Sequence, residues 1–397
     1  MYGRRVSAGD ARAARRGDSL RCALALGSVL LAVAAPAARV VAAGPDPNRP
    51  EDWTVRSPDL HGVASHGAHV WAVGYWGTVL RSDDAGASWQ RATVSTHRTL
   101  FDVSFADERH GWAVGENGTV LRSVDGGTSW TVQPLPTLQD PFDTNPLDVH
   151  LFGVHAVSRR EAWAVGDLGV VLHVRDGEQW EIVPIDEQVY GDDETPLRIL
   201  NAVQFHGPTR GFIVGEFGTV LRTTDGGRSW TGERRIDDAP GDIYLFDVSV
   251  LDEQRAAAVG LAGMVLVTGD GGESWQPRET GVGSAFYGLA WGNPAGVAVG
   301  DRGAIRRTSD VGASWQQPEQ PPLFNWLAAV SSAQGEVVFA VGERGVVLRS
   351  EDGGRSFSLV RGAAPQPLGG VSAPEPTGTG DLGVGVRRGP PARPGDH

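Results

Sequence analysis

Seven times along the chain a carboxylate precedes an aromatic residue by four or five positions: Asp84 and Trp89, Asp125 and Trp130, Asp176 and Trp180, Asp225 and Trp230, Asp270 and Trp275, Asp310 and Trp315, Asp352 and Phe357. Five of these carboxylates also have an arginine three positions earlier, among them Arg81, Arg122, Arg222 and Arg349. Such types can hydrolyse a glycoside, where two carboxylates must stand apart from their surroundings. They can also clamp a carboxylate in an arginine fork. A catalytic group, however, has to break a repeat, and these follow it. Past the first 43 residues the tyrosines are Tyr75, Tyr190, Tyr244 and Tyr287. His61, His66 and His69 are spaced by five and three, which matches no zinc signature. The single cysteine is Cys22, inside the N-terminal segment, so the rest of the chain has no thiolate ligand, disulfide or thiol nucleophile. The expectation is no catalytic residue, no cofactor site and no metal site.

The carboxylates sit in a turn whose first copy reads Ser82-Asp83-Asp84-Ala85-Gly86-Ala87-Ser88-Trp89. It recurs at 123–130, 223–230, 268–275, 308–315 and 350–357, and in shortened form as Val174-Arg175-Asp176-Gly177-Glu178-Gln179-Trp180. The pattern resembles the Asp-box, or BNR repeat. Its chemistry is local: Asp accepts hydrogen bonds from its own turn, Gly supplies a left-handed conformation, and Trp packs inward. These residues are expected to be structural. The arginines have two readings. They form either a basic patch for an acidic partner or ion pairs between neighbouring units, with His173 and Val267 interrupting the series.

The elements that position them follow from the period. An apolar run ends in Gly74, Gly115, Gly166, Gly215, Gly260, Gly300 and Gly342, at intervals of 40 to 51 residues. Each unit holds four short runs rich in Val, Leu, Phe and Trp, bounded by Gly and Asp, which read as strands. Four antiparallel strands in some 40 residues make a propeller blade. The predicted fold is all-β, a seven-bladed β-propeller of four-stranded antiparallel blades over residues 44–361. Trp53-Thr54-Val55 resembles an eighth copy of a fourth strand and is a candidate for closing the ring.

In such a meander the turns between second and third strands share a face with the links between blades. They carry Tyr75, Trp76, Glu116, Asn117, Asp167, Glu216, Phe217, Asp301, Arg302, Glu343 and Arg344. The long links Pro134–Asp148, Pro184–Arg198 and Gly232–Ile243 join that face and are acidic. Long loops on a rigid ring are where binding concentrates, so this face is the expected partner surface. First strands should line the channel, with Asp102 and Asp247 facing it as candidates for holding water or a cation.

The ends differ from the rest. Residues 1–43 combine arginines, the apolar run Cys22–Ala35 and small residues, which is the layout of a signal peptide. Residues 362–397 form a Gly- and Pro-rich tail, expected to be disordered. Removing 1–43, with seven Arg and two Asp, moves the net charge from −13 to −18. That acidity argues against nucleic acid and anionic membranes as partners. The mature protein is expected to be an exported monomer without a membrane span, periplasmic or in a thylakoid-lumen-like compartment.

The repeat as a whole, Trp-Ala-Val-Gly-x-x-Gly-Thr-Val-Leu-Arg-Ser-x-Asp-Gly-Gly-x-Ser-Trp, resembles that of the photosystem II assembly and stability factors, from about Trp53 to Arg361. The resemblance implies an exported, non-enzymatic, seven-bladed scaffold that binds a membrane-protein client during assembly of a complex. Bacteria without photosynthesis have similar proteins, so a second reading is an accessory subunit of an envelope transporter. A third is a sialidase-like glycoside hydrolase or a lectin, since sialidases share the turn. Those enzymes have six blades and need an arginine triad and a tyrosine nucleophile that do not stand out here.

Overall fold

The protein was analysed as a computed structural model that describes residues 58–136, 149–185, 198–233, 243–292, 295–320, 323, 325–333 and 336–362. Each unit folds as a meander. Blade 1 contains β1 (Leu60–His66), β2 (His69–Gly74), β3 (Thr78–Ser82) and β4 (Gln90–Arg91). Blade 2 has β5 (Leu100–Phe105), β6 (Gly111–Gly115), β7 (Thr119–Ser123) and β8 (Thr131–Val132). Blade 3 has β9 (Leu151–Ala156), β10 (Ala162–Gly166), β11 (Val171–Val174) and β12 (Trp180–Ile182). Blade 4 has β13 (Leu200–His206), β14 (Arg210–Gly215), β15 (Val220–Thr223) and β16 (Thr231–Glu233). Blade 5 has β17 (Leu245–Val250), β18 (Ala256–Gly260), β19 (Val265–Thr268) and β20 (Gln276–Arg278). Blade 6 has β21 (Phe286–Trp291), β22 (Gly296–Gly300) and β23 (Ile305–Thr308), and blade 7 has β24 (Leu327–Ala333), β25 (Val337–Gly342), β26 (Val347–Ser350) and β27 (Ser358–Arg361). Among the described residues the only helical elements are three-residue 3₁₀ turns.

Six blades are four-stranded and one is three-stranded. In blade 6 the fourth strand shrinks to one bridge pair, Arg307 with Gln316. The cause is in the sequence. Where Gln133 donates its N–H to the Val120 carbonyl in blade 2 at 2.8 Å, blade 6 has Pro318, which has no N–H to donate.

The second strands form the core. Trp71, Trp112, Trp163, Phe212 and Phe339 occupy one position in five blades and are essentially inaccessible to solvent. Burying each contributes roughly 1.5–3 kcal/mol. The ring closes with β24 beside β1. Phe339 and Val341 share a cluster with Leu60 and Val63, and the hydroxyls of Ser65 and Ser331 meet at 2.7 Å. Blade 7 is built from four consecutive strands, so its fourth strand comes from its own unit. Trp53-Thr54-Val55, the signal-like segment and the tail beyond Gly362 lie outside the described residues.

First strands line the channel and meet one another through side chains. Asp102 accepts from the N–H of Val154 in the next blade at 2.9 Å, and from Val103 at 2.8 Å. Asp247 does the same with Leu289 at 2.7 Å and Val248 at 2.8 Å. Both residues are partly buried. Burial pushes Asp102 up to about 7, and burial with the charge of Asp102 pushes Asp247 up to about 8. These two stitch blade to blade.

Candidate functional site

The Asp-box turns are held by hydrogen bonds within each turn. Asp125 accepts from the Ser129 N–H at 3.0 Å and from its hydroxyl at 2.6 Å, while Ser123 Oγ receives the Gly127 N–H at 2.9 Å. Matching bonds form around Asp84, Asp225, Asp270, Asp310 and Asp352. In the shortened turn the Asp176 carboxylate accepts from the Glu178 and Gln179 backbone N–H groups, and its carbonyl from Arg160. Trp130, Trp180, Trp230, Trp275, Trp315 and Phe357 are buried, and Trp89 partly so.

The third-strand arginines reach the Asp-box turn of the next blade. Arg81 bonds Thr128 Oγ1, Arg122 bonds the Gly177 carbonyl at 2.6 Å, and Arg222 bonds the Gly271 carbonyl at 3.1 Å and Glu273 at 2.7 Å. Arg349 instead pairs with Glu351 of its own turn at 2.5 Å. In blade 3, His173 takes the arginine's place. It stacks on Trp163 at 3.8 Å and bonds Glu161 at 3.0 Å. The arginines are spread around the ring, all but Arg349 as clamps between blades, and do not gather into one patch.

On the opposite face, each second-to-third turn has a left-handed central residue, and outside blade 2 each is a 3₁₀ turn. Trp76 has φ 59°, Asn117 51°, Leu168 58°, Phe217 53°, Arg302 53° and Arg344 57°. Asn adopts this region readily, whereas bulky side chains do so at a cost of roughly 1–2 kcal/mol. The first residue of the turn points inward. Glu116, Asp167 and Glu216 accept the N–H groups of Thr99 (2.9 Å), His150 (2.9 Å) and Ile199 (3.1 Å). Glu216 is 3% exposed, and burial, with the charge of Asp167 nearby, raises it to about 7. Asp301 and Glu343 instead face Arg302 at 3.9 Å and Arg344 at 3.7 Å. The central residue is what the turn presents: Trp76 and Phe217 are 40% and 38% exposed.

Inside this rim lies an aromatic collar that the sequence reading missed. The second residue of every first strand forms a β-bulge: His61, Phe101, Phe152, Asn201, Phe246, Tyr287 and Ala328. A bulge re-aims its side chain, here toward the channel mouth. His61 stacks on Trp326 at 5.6 Å and meets Phe101 and Tyr75 near 6 Å. Phe101 contacts Phe152 at 5.3 Å, with His150 against both. Phe246 meets Tyr287 at 5.3 Å, and Phe217 meets Tyr244 at 5.4 Å beneath the Arg198 guanidinium. Both ring nitrogens of His61 are buried without a partner, and burial lowers it to about 4, so it stays neutral. The legible signal was an aromatic or imidazole ring at this position in five of seven units.

The acidic links that the sequence places on this face lie mostly outside the described residues. Of the remaining histidines in the first cluster, His69 bonds Asp83 at 2.8 Å and His66 is exposed. Among the described residues no three His, Cys, Asp or Glu side chains converge, and no helix is long and apolar enough to cross a membrane.

No curated protein matches this sequence. Solved structures match across most of the chain. YCF48 bound to D1 peptide is 20% identical with a TM-score of 0.57, over 74% of this chain and 94% of that one. YCF48 from Cyanidioschyzon merolae is 19% identical with a TM-score of 0.58, over 75% and 96%. An ancestral GH74 enzyme is 14% identical with a TM-score of 0.58, over 77% of this chain and 46% of that one. At these identities the likeness is one of fold. The sequence itself carries the family: a model of the photosynthesis system II assembly factor YCF48 matches residues 87–202 and 193–318. The chain therefore belongs to the YCF48 family of photosystem II assembly factors.

Proposed function

We propose that this protein is an exported, non-catalytic monomeric scaffold, and that its collar face holds a segment of a membrane-protein client while a complex is assembled. One observation carries the reading. Trp76 and Phe217 are held half exposed in left-handed turns, around a collar of half-buried rings. Strained, bulky residues persist where function needs them, and aromatic anchors dominate protein interfaces. The family supplies the context, since a solved relative is a YCF48 with a D1 peptide bound. The Asp-box carboxylates are engaged within their own turns and Arg81, Arg122 and Arg222 on the next blade, which leaves them no part in hydrolysis.

The test is co-purification from detergent-solubilised membranes of the native host, with the Trp76→Asn/Phe217→Asn variant alongside. The reading expects a membrane protein identified with the wild type and lost with the variant, with the melting temperature retained. Equal recovery by both chains overturns it.

A further inference from the structure

Blade 6 departs from the repeat at one side chain. In the third strand, where the other six blades bury a leucine such as Leu121 or Leu266, blade 6 has Arg306. Its Nε donates to the Thr280 carbonyl at 2.9 Å, and one Nη donates to the carbonyl of Ile305 at 2.9 Å. The second bond replaces the fourth-strand N–H that Pro318 cannot supply. Among the described residues no carboxylate pairs with this guanidinium, and its other Nη has no protein partner. Burial pulls it below the ordinary arginine range. A half-buried charge without a counter-ion is costly.

Arg306 lines a cleft of about 550 Å³ between the blade 5 link and blade 6. Gln320 lines the same cleft. Its amide NH₂ is fixed on the Gly303 carbonyl at 2.8 Å, while its Oε1 is buried with no partner. Asp301 also borders the cleft, but its charge acts on the Tyr287 phenol and lies 3.9 Å from Arg302. The cleft thus offers a cation lacking an anion and an acceptor lacking a donor.

We infer that this cleft receives a carboxylate carried on a peptide segment. Arg306 donates to the carboxylate, and Gln320 Oε1 accepts from a main-chain N–H beside it. An acidic side chain and a C-terminal carboxylate offer the same chemistry. The inference rests on the protein-binding reading above and adds the chemistry of one anchor point.

Fluorescence polarisation of the full chain at low salt tests it, with four N-terminally labelled tetrapeptides. One carries an internal Glu with an amidated end, one has Gln in its place, one is all-Ala with a free carboxylate, and one is its amide. At least one carboxylate peptide should bind about tenfold more tightly than its neutral partner, equivalent to about 1.4 kcal/mol; which one identifies the source. Arg306→Leu restores the residue of the other blades but removes the donor to the Thr280 and Ile305 carbonyls, so it should melt a few degrees lower, keep the wild-type circular dichroism spectrum at the assay temperature, and lose that discrimination. Equal binding of charged and neutral peptides, no binding at millimolar concentration, or discrimination surviving in R306L each overturn the inference. Loss of client capture by the collar variant is independent of Arg306, so failure here leaves the broader reading standing.

Discussion

The guanidinium of Arg122, on the third strand of blade 2, donates to the carbonyl of Gly177 in the turn of blade 3 at 2.6 Å, lying over the Trp112 ring at 5.6 Å. One side chain therefore joins two blades and caps a buried tryptophan. Arg122→Ala leaves the carbonyl unsatisfied and should cost about 2 kcal/mol. Calorimetry should show a melting point lower by about 4–8 °C. Arg122→Lys should recover only part of the loss, because an ammonium cannot reproduce the fork.

The left-handed rim residues separate stability from binding. Asn117 already fills this position in blade 2. Replacing Trp76 or Phe217 by Asn removes an unfavourable backbone state worth roughly 1 kcal/mol and some packing. Thermal melts should therefore change by less than about 1 kcal/mol, while client capture falls. A larger destabilisation would mean that these rings are kept for packing.

Stability should depend on pH with opposite signs on two sides. Asp102, Asp247 and Glu216 have raised values of about 7, 8 and 7. In that window the folded state binds more protons than the unfolded chain, so stability falls as pH rises from about 4 through 8. The Asp-box carboxylates Asp225, Asp270 and Asp310 are lowered to about 2 by their hydroxyl and backbone bonds, or by those bonds against opposing burial. Their contribution is present above the ordinary carboxylate range and is lost as pH falls toward 2. Melting temperature should peak near pH 4, where the two limbs meet. Asp247→Asn should lower the whole curve, because one N–H loses its acceptor, yet flatten its alkaline limb. An unchanged alkaline slope would contradict the assignment.

Two glycines measure the docking between blades. Gly227 has φ +74°, and a Cβ there would lie 2.2 Å from the Trp163 ring; Gly207 has φ +64° with nothing within 4 Å. Gly207→Ala should cost only about 1 kcal/mol, the left-handed strain. Gly227→Ala adds overpacking of a rigid core ring and should cost about 2–4 kcal/mol. Urea titration of the two variants compares them directly.

The blades and the roles of Asp125 and Trp130 were legible because each depends on residues within one turn, and local chemistry repeats in the sequence. Bonding of Arg122 to a neighbouring unit was one of two readings open in the sequence, but its acceptor, the Gly177 carbonyl, and the Val154 N–H served by Asp102 could not be named, because both lie in the next blade. The inward turn of Glu116 and Glu216 was hidden although Thr99 and Ile199 belong to their own blades: a carboxylate in a surface turn reads as exposed until the N–H it serves is located. The collar needed the bulge, which displaces Phe101 and His61 from the alternation that strand patterning assumes. The missing fourth strand of blade 6 could have been read from Pro318, since the corresponding position must donate.

The most direct test of the central claim compares the two faces. A photoreactive phenylalanine analogue is placed at Trp76 on the collar face or at Ser129 on the Asp-box face, and the full chain is irradiated in its native host. The account predicts a crosslink to a membrane protein from position 76 and none from position 129. A crosslink to the same protein from position 129 alone, or from both equally, would contradict it.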